Sequence, residues 1–285
     1  MSIVQNISDT ALLTALYRAH ESERSDALFR DPYARELAGT RAEQILHTMP
    51  GGAKNGYPIV VRTCAIDAFL TQLVQEQRVD TVLNLAAGLD TRPYRLQLPA
   101  SLHWIEVDLP DIIAYKQEKL AAAKSSCILE RLALDLTHEH ERQDLFERVN
   151  EQAQSVLVIT EGLLNYLTEP QVRTLGEALA RYSHMRFWCT DIASPLILWL
   201  LQHIWGPSLQ SGNTRFQFTP ADDTQFFRSL GWAIEQRANP HLAHTLHREI
   251  MIEKILRLLS YLLLKSFQYQ LSFGDILLLR NTHST

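Results

Sequence analysis

The chain has 285 residues, 46% hydrophobic and 21% charged, an ordinary globular composition long enough for one large core or two small ones. A net charge of -5 with no basic block gives no global attraction to nucleic acid. Cys64, Cys127 and Cys189 are widely spaced and odd in number, which excludes a disulfide framework or a zinc cluster and points to a reduced cytoplasm.

The chain does not open on a basic region followed by an apolar run, so no signal peptide is expected. The apolar stretch 195–205 is too short to span a membrane. Stretch 255–264 is interrupted by Arg257 and bounded by Lys254 and Lys265, so both fall short of the roughly 20 apolar residues a span needs. Buried helices are the preferred reading, with a membrane-surface helix over 251–267 as the alternative.

Residues 1–78 read as a helical cap. "SDTALLTALYRAHESERSDALF" has apolar residues at helical spacing, with Ser8 or Asp9 as the cap. Asp31-Pro32 punctuates and "YARELAG" begins a second helix. Gly51-Gly52 and Asn55-Gly56 mark a loop, and "VVRTCAIDAFLTQLVQEQ" reads as a long amphipathic helix.

From Thr81 onward seven short apolar runs follow: "TVLNLAA", "HWIEVDL", "CILERLALDL", "SVLVITEG", "RFWCTDIA", "WAIEQRAN" and "DILLLRN". Helical segments separate the early ones. This alternation predicts an α/β fold, a seven-stranded, mostly parallel sheet with helices on both faces. The last run has no clear crossover helix before it and is expected to form an antiparallel edge. Residues 79–285 are read as one core, with an insertion near 194–231 that serves as a substrate lid.

In an open sheet of this kind ligands bind at the carboxyl ends of the strands. The first run ends in Ala86-Ala87-Gly88, small residues that let a ligand approach exposed amides, followed at once by Asp90. A carboxylate there argues against phosphate, and two of the three dinucleotide-binding glycines are missing. A nucleotide-like ligand without phosphates fits better; the alternative is a plain strand-to-helix turn. Asp108 closes the second run, 20 positions beyond Gly88, where an acid can accept from ribose hydroxyls; Glu106 is turned to the same side. A helix-capping Asp108 is the competing reading. Asp135 closes the third run and can accept from an adenine amino group or cap the next helix. Glu161 ends a central run and is expected to face the cleft, because burying it unpaired is costly. Asn165 and Tyr166 follow it.

At these residues the sequence resembles the leucine carboxyl methyltransferase superfamily, and in particular its bacterial branch of S-adenosylmethionine-dependent O-methyltransferases, which includes polyketide-tailoring enzymes. The shared stretches are "RAHESERSDALFRDPYA", "VVRTCAIDAFL", "NLAAGLDTRPYRL", "IEVDLPDIIAYK", "LALDL" and "TEGLLNYL", in family order from near residue 18 to residue 167. Beyond Asp191 the likeness is architectural.

The resemblance implies a Rossmann-like class I methyltransferase fold and S-adenosyl-L-methionine as the cofactor, with S-adenosyl-L-homocysteine as its product. It assigns Arg62 to the methionine carboxylate and the backbone at Ala86–Gly88 to the methionine part. Asp108 falls to the ribose, Asp135 and Leu136 to the adenine, and Glu161 to the methionine amino group. Arg18 matches a basic position near the cofactor carboxylate. Ala86 departs from the pattern, standing where the family's turn has its first glycine. The implied activity is O-methylation of a carboxyl or phenolic oxygen on a small molecule of the polyketide-like secondary-metabolite kind; the alternatives are methylation of a protein C-terminus and a non-catalytic cofactor-binding scaffold. An NAD-dependent dehydrogenase is disfavoured by the missing glycines.

Tyr166 is the candidate for orienting the acceptor, against a reading as core. Trp199, Trp205, Phe216 and Phe218 point to an apolar or aromatic acceptor pocket, or to core. His241, His244 and His247 form an H-x-x-H-x-x-H run without an accompanying acid or cysteine at ligand spacing, so no metal site is expected.

Overall fold

The computed structural model describes residues 7–48, 56–195, 198–199, 216–238 and 274–284. The histidine run, Trp205 and stretch 255–264 lie outside the described residues.

All seven apolar runs form strands: β1 Thr81–Leu85, β2 His103–Asp108, β3 Ile128–Ala133, β4 Val156–Thr160, β5 Met185–Ile192, β6 Trp232–Ala238 and β7 Asp275–Asn281. They make one sheet in the order β3-β2-β1-β4-β5-β7-β6. Strands β1 to β5 are parallel, and β7 runs antiparallel to both of its neighbours.

The antiparallel strand is therefore not at the edge. Ile276, Leu277, Leu278 and Leu279 of β7 are all buried, so this strand needs cover on both faces and a neighbour on both sides. The edge belongs to β6, whose Glu235, Gln236 and Arg237 tolerate water on one side.

Alternation along the strands feeds two cores. Leu83 and Leu85 of β1, with Val156 and Val158 of β4, pack on Phe146, Val149, Val172 and Leu175 from helices α6 (Glu139–Gln152) and α7 (Glu169–Ala180). Val82, Leu157 and Ile159 face the other way, onto Ile66, Phe69, Leu70 and Leu73 of helix α3 (Tyr57–Gln75). Helix α3 is long and apolar enough by composition to cross a membrane. Those apolar residues are instead buried on the sheet.

Helices α1 (Ile7–Ser22) and α2 (Ala34–Thr48) form a third cluster with Leu89 and Leu120. Helix α1 begins before Ser8, which places Asp9 inside its first turn rather than at the cap. There its carboxylate takes Arg41 Nε and Nη2 at 3.1 and 3.0 Å, tying α1 to α2. Short helices α4 (Arg92–Arg95) and α5 (Pro110–Lys119) follow β1 and β2, and α8 (Asp223–Ser229) precedes β6.

At the edge of the sheet Arg237 pairs with two buried carboxylates, Asp223 and Asp275. Burial outweighs Arg237 at Asp275 and pushes its carboxyl up to about 6. A carboxyl that keeps its proton to about pH 6 when folded, but releases it near pH 4 when unfolded, penalises folding as pH rises through that window. Asp275→Asn is expected to raise stability at pH 7.5 by roughly 1–3 kcal/mol. Its advantage should shrink toward pH 4; urea melts across the range check both.

Candidate active site

The carboxyl ends of β1, β2 and β4 open into a cavity of about 740 Å³, walled on the far side by Thr10, Ala11 and Thr14 of α1. At its floor the chain leaves β1 through Ala86, Ala87 and Gly88. The Gly88 N–H donates to Asp108 Oδ2 at 2.6 Å, and Leu109 N–H donates to Oδ1 at 2.7 Å. The 20-residue spacing thus corresponds to a direct contact. Asp108 lines the cavity and makes no side-chain cap for α5. Burial raises its carboxyl above the usual range, and the two N–H donors only partly oppose this. Glu106 is fully buried and faces Lys116 Nζ and Arg131 Nε at 2.8 and 2.9 Å, so it serves the fold.

Ala86 has φ 53, a left-handed conformation that costs an L-residue about 1–2 kcal/mol, against the 0.5–1 kcal/mol that glycine costs in chain entropy. Ala86→Gly is expected to stabilise the fold by about 0.5–1 kcal/mol, read as a small rise in melting temperature.

After β3, Asp135 Oδ1 accepts from Thr137 N–H at 2.9 Å and Thr137 Oγ1 at 2.8 Å. The backbone bond to Thr137, more than any other contact, holds this carboxyl below its ordinary value. It closes a local turn and does not cap α6, which has His138 at that position. The Leu136 carbonyl accepts from Arg142 Nη1 at 2.6 Å. Asp135, Leu136 and Arg142 all line the cavity.

The opposite wall carries the charge. Arg62 Nε donates to Glu161 Oε1 at 2.9 Å, and Arg62 Nη1 to Asp191 Oδ2 at 3.1 Å. Glu161 Oε2 accepts from Arg92 Nη1 at 2.8 Å. Arg92, only 2% exposed, also reaches Asp90 at 2.8 Å and Asp67 at 2.7 Å. Charge sits directly behind the small residues of the first turn because Asp90 and Arg92 fasten that turn to Asp67 of α3 and to Glu161 just after β4. Burial alone would raise the Glu161 carboxyl, but Arg92 and Arg62 outweigh it and hold it below the ordinary range. Asp191 also accepts the Gly162 N–H at 2.5 Å. It lies one residue before the carboxyl end of β5, as Asp108 lies at the end of β2, so the strand-end position is the sequence signal that points to it.

Tyr166 lies in a 3-10 turn, Leu164–Tyr166, and stacks on Phe216 with ring centroids 5.0 Å apart. Burial raises its hydroxyl above the usual value, opposed by a bond to the Thr10 side chain and by Arg62. It is a phenol at neutral pH, able to donate but not to act as a base. The preceding Asn165 holds this corner together: its Oδ1 accepts Ala193 N–H at 3.1 Å and its carbonyl accepts Gln217 N–H at 2.7 Å. The aromatic residues separate in role. Phe216 lines the cavity, Phe218 is core against Phe226, and Trp199 is 54% exposed.

A sequence model of the family described as leucine carboxyl methyltransferase matches residues 11–180, more than half of the chain, from within α1 to the end of α7. The chain belongs to the leucine carboxyl methyltransferase family. A relative from Parafrankia sp., named "Putative S-adenosyl-L-methionine-dependent methyltransferase", is 35% identical over 62% of this chain and 60% of its own length. The chain thus spans about 60% of the length of the curated relatives it matches. Two solved structures share the fold. A DUF574 family protein from Streptomyces avermitilis is 11% identical, with a TM-score of 0.56 over 94% of this chain and 97% of its own. A "putative methyltransferase" from Thermobifida fusca is 15% identical, with a TM-score of 0.56 over 98% and 96%. The fold is the Rossmann-like class I methyltransferase α/β fold.

In this member of the leucine carboxyl methyltransferase family, two stretches that lie far apart in sequence meet beside the cavity. Arg18 donates to Asp31 at 2.9 Å and to the Leu89 carbonyl at 2.6 Å, and Thr91 Oγ1 donates to Asp31 at 2.6 Å. The N-terminal stretch therefore clamps the turn after β1 from outside, with Arg18 on the cavity wall.

Proposed function

We propose that the chain is a cytoplasmic S-adenosylmethionine-dependent O-methyltransferase acting on a carboxyl or phenolic oxygen of a small molecule, of the polyketide-like secondary-metabolite kind. One observation carries this reading: a single cavity at the strand ends is lined by the Arg62–Glu161 pair, the Gly88 turn and Asp108. Acids around the first turn suit an adenosyl group without phosphates. The names of the relatives support the same cofactor.

In this reading Arg62 and Glu161 hold the carboxylate and ammonium of the methionine end, with Arg18 as a further cation. The backbone at Ala86–Gly88 lies along the methionine part. Asp108 accepts from the ribose, and Asp135 with Leu136 meets the adenine. When bound, S-adenosylmethionine supplies a methyl group already activated on a sulfonium. The chain's own task is to align the acceptor oxygen and exclude water, which can contribute roughly 7–11 kcal/mol toward the barrier. Tyr166 orients the acceptor by donating a hydrogen bond, and Phe216 supplies an apolar wall. Among the described residues no histidine lines the cavity. A carboxylate acceptor, ionised without help at pH 7, needs none.

Residues 1–78 as a cap and 194–231 as a lid on the 79–285 core belong to the same proposal, supported by the α1 and Phe216 contributions to the cavity. The odd number and wide spacing of the three cysteines support the cytoplasmic setting.

Calorimetric titration with S-adenosylmethionine tests the cofactor, and transfer of labelled methyl to a panel of aromatic acids and phenols tests the chemistry. Absence of binding overturns the reading; binding with transfer only to a peptide C-terminus replaces the acceptor.

A further inference from the structure

Arg62 and Glu161 line the cavity, whereas Arg92 and Asp191 do not. Each front residue has an oppositely charged partner behind it. Arg62 uses Nε for Glu161 and Nη1 for Asp191. Glu161 uses Oε1 for Arg62 and Oε2 for Arg92. A ligand with both a carboxylate and an ammonium must part Arg62 from Glu161. A pair with no other partners would lose its only compensation at that moment, and a desolvated charge left unpaired is costly. Here each front residue keeps one partner when the pair opens, so little needs rebuilding on binding.

The rear partners are themselves fixed. Arg92 is gripped by Asp90 and Asp67, and Asp67 also takes Arg95 Nη1 and Nη2 at 2.6 and 2.7 Å. Asp191 is held by the Gly162 N–H at 2.5 Å.

We propose that Arg92 and Asp191 are positioning residues that preset the Arg62–Glu161 pair for the zwitterionic amino-acid end of the cofactor. The inference rests on the S-adenosylmethionine reading above. Loss of either residue then weakens recognition of the amino-acid end and leaves recognition of adenosine intact, which a general structural role would not do.

The test compares S-adenosylhomocysteine with 5′-methylthioadenosine, which keeps adenosine and sulfur but lacks the amino acid. Both are titrated into the wild-type chain, Arg92→Gln, Arg92→Lys and Asp191→Asn. Expected is a loss of S-adenosylhomocysteine affinity of about 10-fold or more in Arg92→Gln and Asp191→Asn, the scale of one hydrogen bond to a charged group, with methylthioadenosine changed by less than about twofold. Arg92→Lys should recover part of the loss. Should Arg92→Gln fail to fold, Asp191→Asn, of nearly the same shape, decides alone. Equal weakening of both ligands, or unchanged S-adenosylhomocysteine affinity, overturns the inference. A wild-type chain that binds the two ligands equally also overturns it while sparing the cofactor reading; one that binds neither overturns both.

Discussion

An Arg62→Gln variant is expected to bind S-adenosylhomocysteine about 10- to 100-fold more weakly and to lose about 3–5 kcal/mol of stability at pH 7.5. Two carboxylates, Glu161 and Asp191, depend on this one guanidinium, with side chains only 15% and 12% exposed. Removing the cation leaves Asp191 against neutral donors and leaves Glu161 with Arg92 alone. The sign of the pH dependence follows. In the wild-type chain the Glu161 carboxyl is held below its ordinary value, so its contribution to stability is present above pH 4.5 and is lost as pH falls through the depressed folded value. Without Arg62 that contribution is smaller to begin with. The gap between wild type and variant should therefore be widest near neutrality and narrow on acidification. Urea melts at pH 7.5 and at about pH 3, below the unfolded carboxylate value, measure it. An equal gap at both values would mean that Arg62 acts through packing of its stem, not through charge.

How much of this arrangement can be read from the sequence depends on whether the signal is local. The central strands were legible because a strand covered on both faces must be apolar along its length, as in "VLVIT" of β4 and "ILLL" of β7, whereas the edge strands β3 and β6 mix charged residues into shorter apolar runs. Helix α6, Glu139 to Gln152, is legible because it buries only Leu145, Phe146 and Val149, spaced along one face of an otherwise polar run. The place of β7 between β5 and β6 is set by pairing across long separations, which local pattern does not record. The site divides along the same line. Asp108 was legible because its relation to Gly88 follows from the fixed length of one strand–helix–strand step. Arg92 was visible as a charge, but its partners Asp67 and Glu161 lie 25 and 69 positions away. Phe216 and Phe218 look alike in sequence and differ in fate: one meets Tyr166 at the cavity, the other packs on Phe226 in the core.

Replacing Asp108 with alanine is expected to weaken S-adenosylhomocysteine binding by about 1.5–3 kcal/mol, the scale of hydrogen bonds to a charged group. Part of that loss has a structural route, since Asp108 also receives the Gly88 and Leu109 N–H groups. The 2′-deoxy analogue of S-adenosylhomocysteine separates the two. If the carboxylate accepts from the ribose, the wild-type chain prefers the hydroxylated ligand and Asp108→Ala loses that preference. If Asp108 only braces the turn, the variant weakens both ligands and keeps the preference. Proton linkage supplies an independent check. Burial raises this carboxyl above its ordinary value of 3.8, and the protonated form is a poorer acceptor. On acidification wild-type affinity should begin to drop at a higher pH than an unperturbed aspartate would give, and Asp108→Ala should remove that part of the profile. Unchanged affinity in a folded variant would show that the acid at the end of β2 supports the Gly88 turn and does not meet the ligand.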